Sequence, residues 1–127
     1  MRLSVRDGLP FASVTVGHGG KQITLPEVLV DTGSARTILS ADAVASIGIT
    51  PDPADILYVI RGVGGSEVVF CRQVDGLQIG ERRLEGFEIE VGGMDYGFEI
   101  HGILGMDFLH RVGAILDLAE MSIKFTE

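Results

Sequence analysis

A chain of 127 residues suffices for one domain, residues 1–127, that buries roughly two-thirds of its unfolded surface in a single core. Ten Lys and Arg against 18 Asp and Glu leave a net charge of −8, which argues against nucleic acid and anionic membranes as partners. The single cysteine, Cys71, excludes an intrachain disulfide, and there is neither a signal-peptide core nor a run of roughly 18 apolar residues, so a soluble, cytoplasmic chain is expected.

Glycine is about twice as frequent as usual, at 18 residues, and it separates short apolar alternations, which predicts a mainly β chain with many tight turns. Ala12, Val14 and Val16 share one strand face. After Gly17-His18-Gly19-Gly20 the alternation resumes at Ile23 and Leu25, which makes a hairpin, with Pro26 at an edge or bend. Val28-Leu29-Val30 is a buried strand that runs into Asp31-Thr32-Gly33-Ser34. Ser40 is placed to cap a short helix, with Asp42 in its first turn, Leu39 and Val44 as a hydrophobic staple, and Gly48 to end it before Pro51. Tyr58-Val59-Ile60 and Val68 to Phe70 flank the glycine-rich Arg61-Gly62-Val63-Gly64-Gly65-Ser66, a hairpin with a close-approach tip. No Lys or following helix supports a phosphate loop there.

Leu77 and Ile79 lead to a turn at Gly80, and Phe87, Ile89 and Val91 alternate with Glu88 and Glu90, read as a solvated face. Phe98 to Gly105 is a second apolar strand ending in glycine, followed by a second short helix from Met106 to Val112, and Ile115 to Leu118 and Met121 to Phe125 finish the chain as strands. Strand, turn glycine, helix and closing glycine thus occur twice, from Val28 to Ile49 and from Ile100 to Ile115, as expected of two related halves.

Asp31 is the residue around which the chain is arranged, a carboxylate presented at a strand end by a turn whose Gly33 is free to take unusual backbone angles. Chance alone puts Asp-Thr-Gly in roughly one chain in forty of this length. The tripeptide therefore needs support. It comes from three ordered motifs: Leu29 to Ala35, Ile60 to Gly65, and Gly102-Ile103-Leu104-Gly105-Met106-Asp107-Phe108-Leu109. Together they resemble the retropepsin-like aspartic proteases over about residues 11 to 125. With a helix between the first two motifs, the chain is most similar to the retroviral-like domain of DNA-damage-inducible ubiquitin shuttle proteins and their bacterial relatives.

The resemblance implies a single-domain acid-protease fold, mainly β with two short helices, active as a twofold homodimer on peptide or protein substrates. Asp31, Thr32, Gly33 and Ser34 would be the catalytic turn, and Arg61, Gly62, Val63, Gly64 and Gly65 the flap that meets substrate, with His101 and Ile103 as further substrate contacts. Such hydrolysis uses two carboxyls about one water, one accepting its proton and the other polarising the carbonyl, and like charges about 3 Å apart cannot both ionise. One chain offers one such Asp, so the second is Asp31 of another subunit. Ser34 is expected to donate to the carboxylate, lowering its pKa.

Ala35 and Met106 stand where many retroviral enzymes have an Asp–Arg ion pair. Arg36 and Asp107, one position along, offer the pair with charges exchanged, while Asp107 alone would favour a helix start. No His or Cys cluster has metal-ligand spacing, and no cofactor is expected. The alternative to an endopeptidase is a catalytically silent module of the same fold that dimerises or binds peptides.

Overall fold

The structure is a computed structural model that describes residues 1–62, 65–94 and 99–126; Val63 and Gly64 of the expected flap tip, and Phe98 of the expected second strand, lie outside them. The first strands, β1 (Ser4–Arg6), β2 (Leu9–His18) and β3 (Lys21–Val30), form antiparallel pairs. The expected hairpin turns at Gly19 and Gly20, both at positive φ. Pro26 falls at a bulge, where the register shifts between Ala12 and Val14, so its missing N–H interrupts no regular pairing.

After the Asp31 turn come β4 (Ile38–Ser40) and α1 (Ala41–Val44), extended by a 3-10 turn, Ala45–Ile47. The Ser40 hydroxyl accepts from the Ala43 N–H, Leu39 and Val44 are both fully buried, and Gly48 ends the unit at φ 84°. The helix is thus as expected but tightens after one turn. β4 was not expected.

The hairpin of β5 (Tyr58–Gly62) and β6 (Gly65–Ile79) pairs Arg61 with Ser66 and Gly62 with Gly65. β6 is a single strand of 15 residues that pairs over residues 69–79 with β7 (Arg82–Gly92). The last third contains β8 (Gly102–Leu104), α2 (Met106–Arg111), β9 (Ala114–Asp117) and β10 (Ser122–Phe125).

Among the described residues, eight strands form one sheet in the order β1-β2-β3-β8-β4-β7-β6-β5, and further pairing of β2 with β6 curls it upon itself. The repeated strand-glycine-helix units meet at its centre, where β3 and β8 run parallel with Val28, Leu29 and Val30 opposite Gly102, Ile103 and Leu104. The principal core lies within the curl, with Phe87 edge-on to Phe108, ring centroids 5.6 Å apart. A smaller cluster of Phe11, Ile38, Val69, Ile100 and Ile103, flanked by Leu29 and Tyr58, packs beside the strands that carry Asp31.

β10, the closing strand expected at Met121 to Phe125, is held on both sides by its own chain. One of its edges pairs with β9, and the other is filled by the chain's own first residues: Met1 and Ile123 exchange backbone hydrogen bonds, and the Leu3 N–H donates to the Met121 carbonyl. Both edges are thus satisfied within one chain. β9 has β10 as its sole strand neighbour among the described residues, and on it Ile115 is 49% exposed.

Candidate active site

Asp31 directly follows β3, and its N–H donates to the Leu104 carbonyl at 3.0 Å, so the pairing of β3 with β8 fixes the carboxylate's origin. The turn is closed by the Ser34 N–H on the Asp31 carbonyl at 3.2 Å, and the Gly33 N–H donates to Asp31 Oδ1 at 2.9 Å. A Cβ at position 33 would sit 3.2 Å from that same oxygen, so glycine lets the backbone amide come close to the acid. Asp31 is half-buried and Thr32 and Gly33 are exposed, leaving the carboxyl open to solvent beside a backbone edge that a substrate can reach.

The turn is clamped from beneath by the segment between β8 and α2. The Met106 N–H donates to the Ser34 carbonyl at 2.8 Å and the Asp107 N–H to the Ala35 carbonyl at 3.2 Å. Thr37, fully buried, donates from Oγ1 to Asp107 Oδ1 at 2.7 Å and from its N–H to Oδ2 at 3.1 Å, while the Gly105 N–H donates to Thr37 Oγ1 at 3.0 Å. A Cβ at Gly105 would lie 2.4 Å from the Arg36 carbonyl oxygen, so the two segments are in backbone contact.

The two readings of Asp107 coexist. Its carboxylate accepts from the Phe108 N–H at the start of α2, and Arg36 Nε stands 3.7 Å from Oδ2, while the same guanidinium meets Glu88 at 3.0 Å. Burial alone would lower the Arg36 pKa, but the hydrogen bond to Glu88, with Glu90 and Cys71 nearby, holds it above its ordinary value.

Three expectations change. The Ser34 hydroxyl donates to the Arg36 carbonyl at 2.8 Å, so its one proton is committed to the turn's backbone and is not aimed at Asp31. His101 is not brought to the turn. Its Nδ1 accepts from the Glu27 N–H at 3.2 Å, and the ring lines an open cavity of about 610 Å³ with Leu25, Pro26, Asp42 and Met94, which includes no residue from Asp31 to Arg36. Glu90, read as solvated, is only 7% exposed and accepts a hydrogen bond from the Tyr58 hydroxyl at 2.5 Å. Ile103 is beside Leu29 in the small cluster, two residues from Asp31, as a floor for the site. Arg61, Gly62 and Gly65 form the paired arms of the hairpin, and Val63 and Gly64 are not described.

Sequence reasoning missed Thr37 and Glu90. A Thr six residues past Asp31 carries no motif, and Glu90 alternates as a surface strand residue would; only the partners, distant in sequence, reveal either.

The sequence model of the aspartyl protease family matches residues 12–108. The UBA domain-containing protein Mud1 of Schizosaccharomyces pombe is 33% identical over 94 residues, 72% of this chain and 27% of that protein, so the chain spans about a quarter of that relative. A crystal structure of a retropepsin-like aspartic protease from Rickettsia conorii shares the fold with a TM-score of 0.70, at 20% identity over 97% of this chain and 95% of that one. A family match running from β2 into α2 shows that the chain belongs to the aspartyl protease family, and its fold is retropepsin-like.

Proposed function

We propose that the protein is a homodimeric aspartic endopeptidase in which Asp31 and the partner's Asp31 activate one water. One carboxylate takes a proton from the water as its oxygen attacks the peptide carbonyl carbon, and the other carboxyl, protonated, gives its proton to the carbonyl oxygen. The tetrahedral gem-diol then collapses: the C–N bond breaks as the nitrogen takes the dyad's proton, and one hydroxyl of the adduct gives its proton back to the dyad, which again shares one. Water has been added across the bond with no cofactor.

The observation that carries this reading is the Asp31 turn itself. The Gly33 N–H on Oδ1 and the clamp formed by Thr37, Gly105 and Asp107 preorganise a solvent-accessible carboxyl at the end of a central strand. Such rigidity suits a group that must meet its twin across a symmetry axis. Support for association comes from β9, whose outer edge has no strand neighbour among the described residues and bears exposed Ile115. Thr32, exposed beside Asp31, is available to bond across the axis. The flap arms around Arg61, Gly62 and Gly65 are assigned to cover the substrate.

Incubation with a denatured protein mixture from about pH 4 to 7 tests the proposal. The wild-type protein is expected to cleave it, and Asp31→Asn to abolish cleavage while its circular dichroism and melting temperature stay close to wild type. Cleavage that survives the substitution sinks the assignment. A wild type that binds peptides but never cuts them leaves the binding module in its place.

A further inference from the structure

One polar row lies across three strands of the sheet. Tyr58 on β5, Cys71 on β6 and Glu90 on β7 share a face: Tyr58 is opposite Val69, two residues from Cys71, and Cys71 is opposite Glu90. The Tyr58 hydroxyl is 2.9 Å from Cys71 Sγ and donates to Glu90 Oε2 at 2.5 Å. This bond passes over the neighbouring strand to the one beyond. Among the described residues β5 is the last strand of the sheet, with β6 as its one neighbour, so a tie to β7 adds an anchor that the ladder does not supply.

Glu90 has a second connection. Its N–H donates to the Thr37 carbonyl at 2.9 Å, and Thr37 belongs to the clamp that holds the Asp31 turn. One residue therefore joins the segment leaving the catalytic turn, through its backbone, to the first arm of the flap hairpin, through its side chain. Around its carboxylate stand Tyr58, Cys71 and the Arg36 guanidinium, with Glu88 farther along β7. A buried carboxylate costs more to desolvate than an apolar side chain of similar volume, so the fold alone has no need of it here. A hydroxyl-to-carboxylate tie, by contrast, fixes one geometry.

Resting on the peptidase reading for its functional part, we propose that Glu90 is a positioning residue: through Tyr58 it sets the pose of the β5–β6 hairpin relative to the Asp31 turn. It does not touch the reacting atoms. Its effect is on how well substrate is held, so its loss weakens substrate capture more than turnover.

Four proteins decide the matter: wild type, Tyr58→Phe, Glu90→Leu and Glu90→Gln, whose amide oxygen still accepts the Tyr58 proton. Amide hydrogen exchange of Tyr58–Gly62 and the rate of disulfide exchange at Cys71, the single thiol, report the tie without any reference to proteolysis. In Tyr58→Phe and Glu90→Leu the β5 amides are expected to exchange about tenfold faster or more, with faster thiol labelling. KM for a peptide cut by the wild type rises by about the same factor while kcat stays within about twofold. Glu90→Gln stays near wild type in all three. Unchanged β5 protection in Tyr58→Phe overturns the proposal, as does Glu90→Gln behaving like Glu90→Leu. Should Glu90→Leu fail to fold, Tyr58→Phe carries the test. If the wild type cuts no peptide, that result counts against the peptidase reading alone, and exchange at β5 still decides the tie.

Discussion

Thr37 combines burial with three hydrogen bonds to the segment beneath the Asp31 turn. In Thr37→Val the shape is kept, but the buried Gly105 N–H loses its acceptor and the half-buried Asp107 loses a donor. A cost of about 2 kcal/mol in urea unfolding is expected, with cleavage falling further than stability because the turn it holds loosens. Tyr58 leaves a different signature. Burial, then its contacts with Cys71 and Glu90, pushes its hydroxyl well above the usual tyrosine range, because each disfavours a phenolate there. Since the folded value is raised, the associated stability is fully present below the unfolded value of about 10 and is lost as pH climbs past it. Melting temperature measured between about pH 8 and 11 should therefore fall in the wild type and fall less in Tyr58→Phe.

Among the elements, β8 is short, but at Gly102 and at Gly105, which follows it, the chain comes into close backbone contact with its surroundings. A Cβ on Gly102 would come within 2.6 Å of the Ile38 carbonyl, and one on Gly105 would strike the Arg36 carbonyl. Because backbone must move to admit even a methyl, Gly105→Ala is expected to cost about 3 kcal/mol or more in thermal or urea melts and to remove activity. These glycines were legible in the sequence as a motif, and so were the Asp31 turn, both short helices and the glycine-rich hairpin, since each depends on neighbours within a few residues. What escaped reading depends on distant partners. β4 has three residues between a turn and a helix, too few for alternation to declare a strand. Glu90 follows the same period as Glu88, and its burial is decided by Tyr58, 32 residues earlier. Ser34 sits where a hydroxyl could reach Asp31, but the local backbone supplies a nearer acceptor at Arg36.

For the whole molecule, charge and edge geometry pull against each other. Each chain carries −8, so pairing two like chains is opposed at low ionic strength, while β9 offers an exposed strand edge. Sedimentation is expected to show association tightening as salt rises from about 0.02 to 0.3 M. Ile115→Glu should weaken it at both extremes by putting a further charge on that edge. The clamp on the Asp31 turn also has a consequence in time. Thr37 and Asp107 are 70 residues apart in sequence, and their bond ties Asp31 to a segment in the last fifth of the chain. Long-range contacts of this kind form late, after most of the chain is available to close them. A polypeptide still emerging from the ribosome thus carries its aspartate in an unformed turn, and any hydrolytic capacity waits until synthesis has passed α2. On the proposed peptidase reading, the nascent chain is thereby spared its own chemistry.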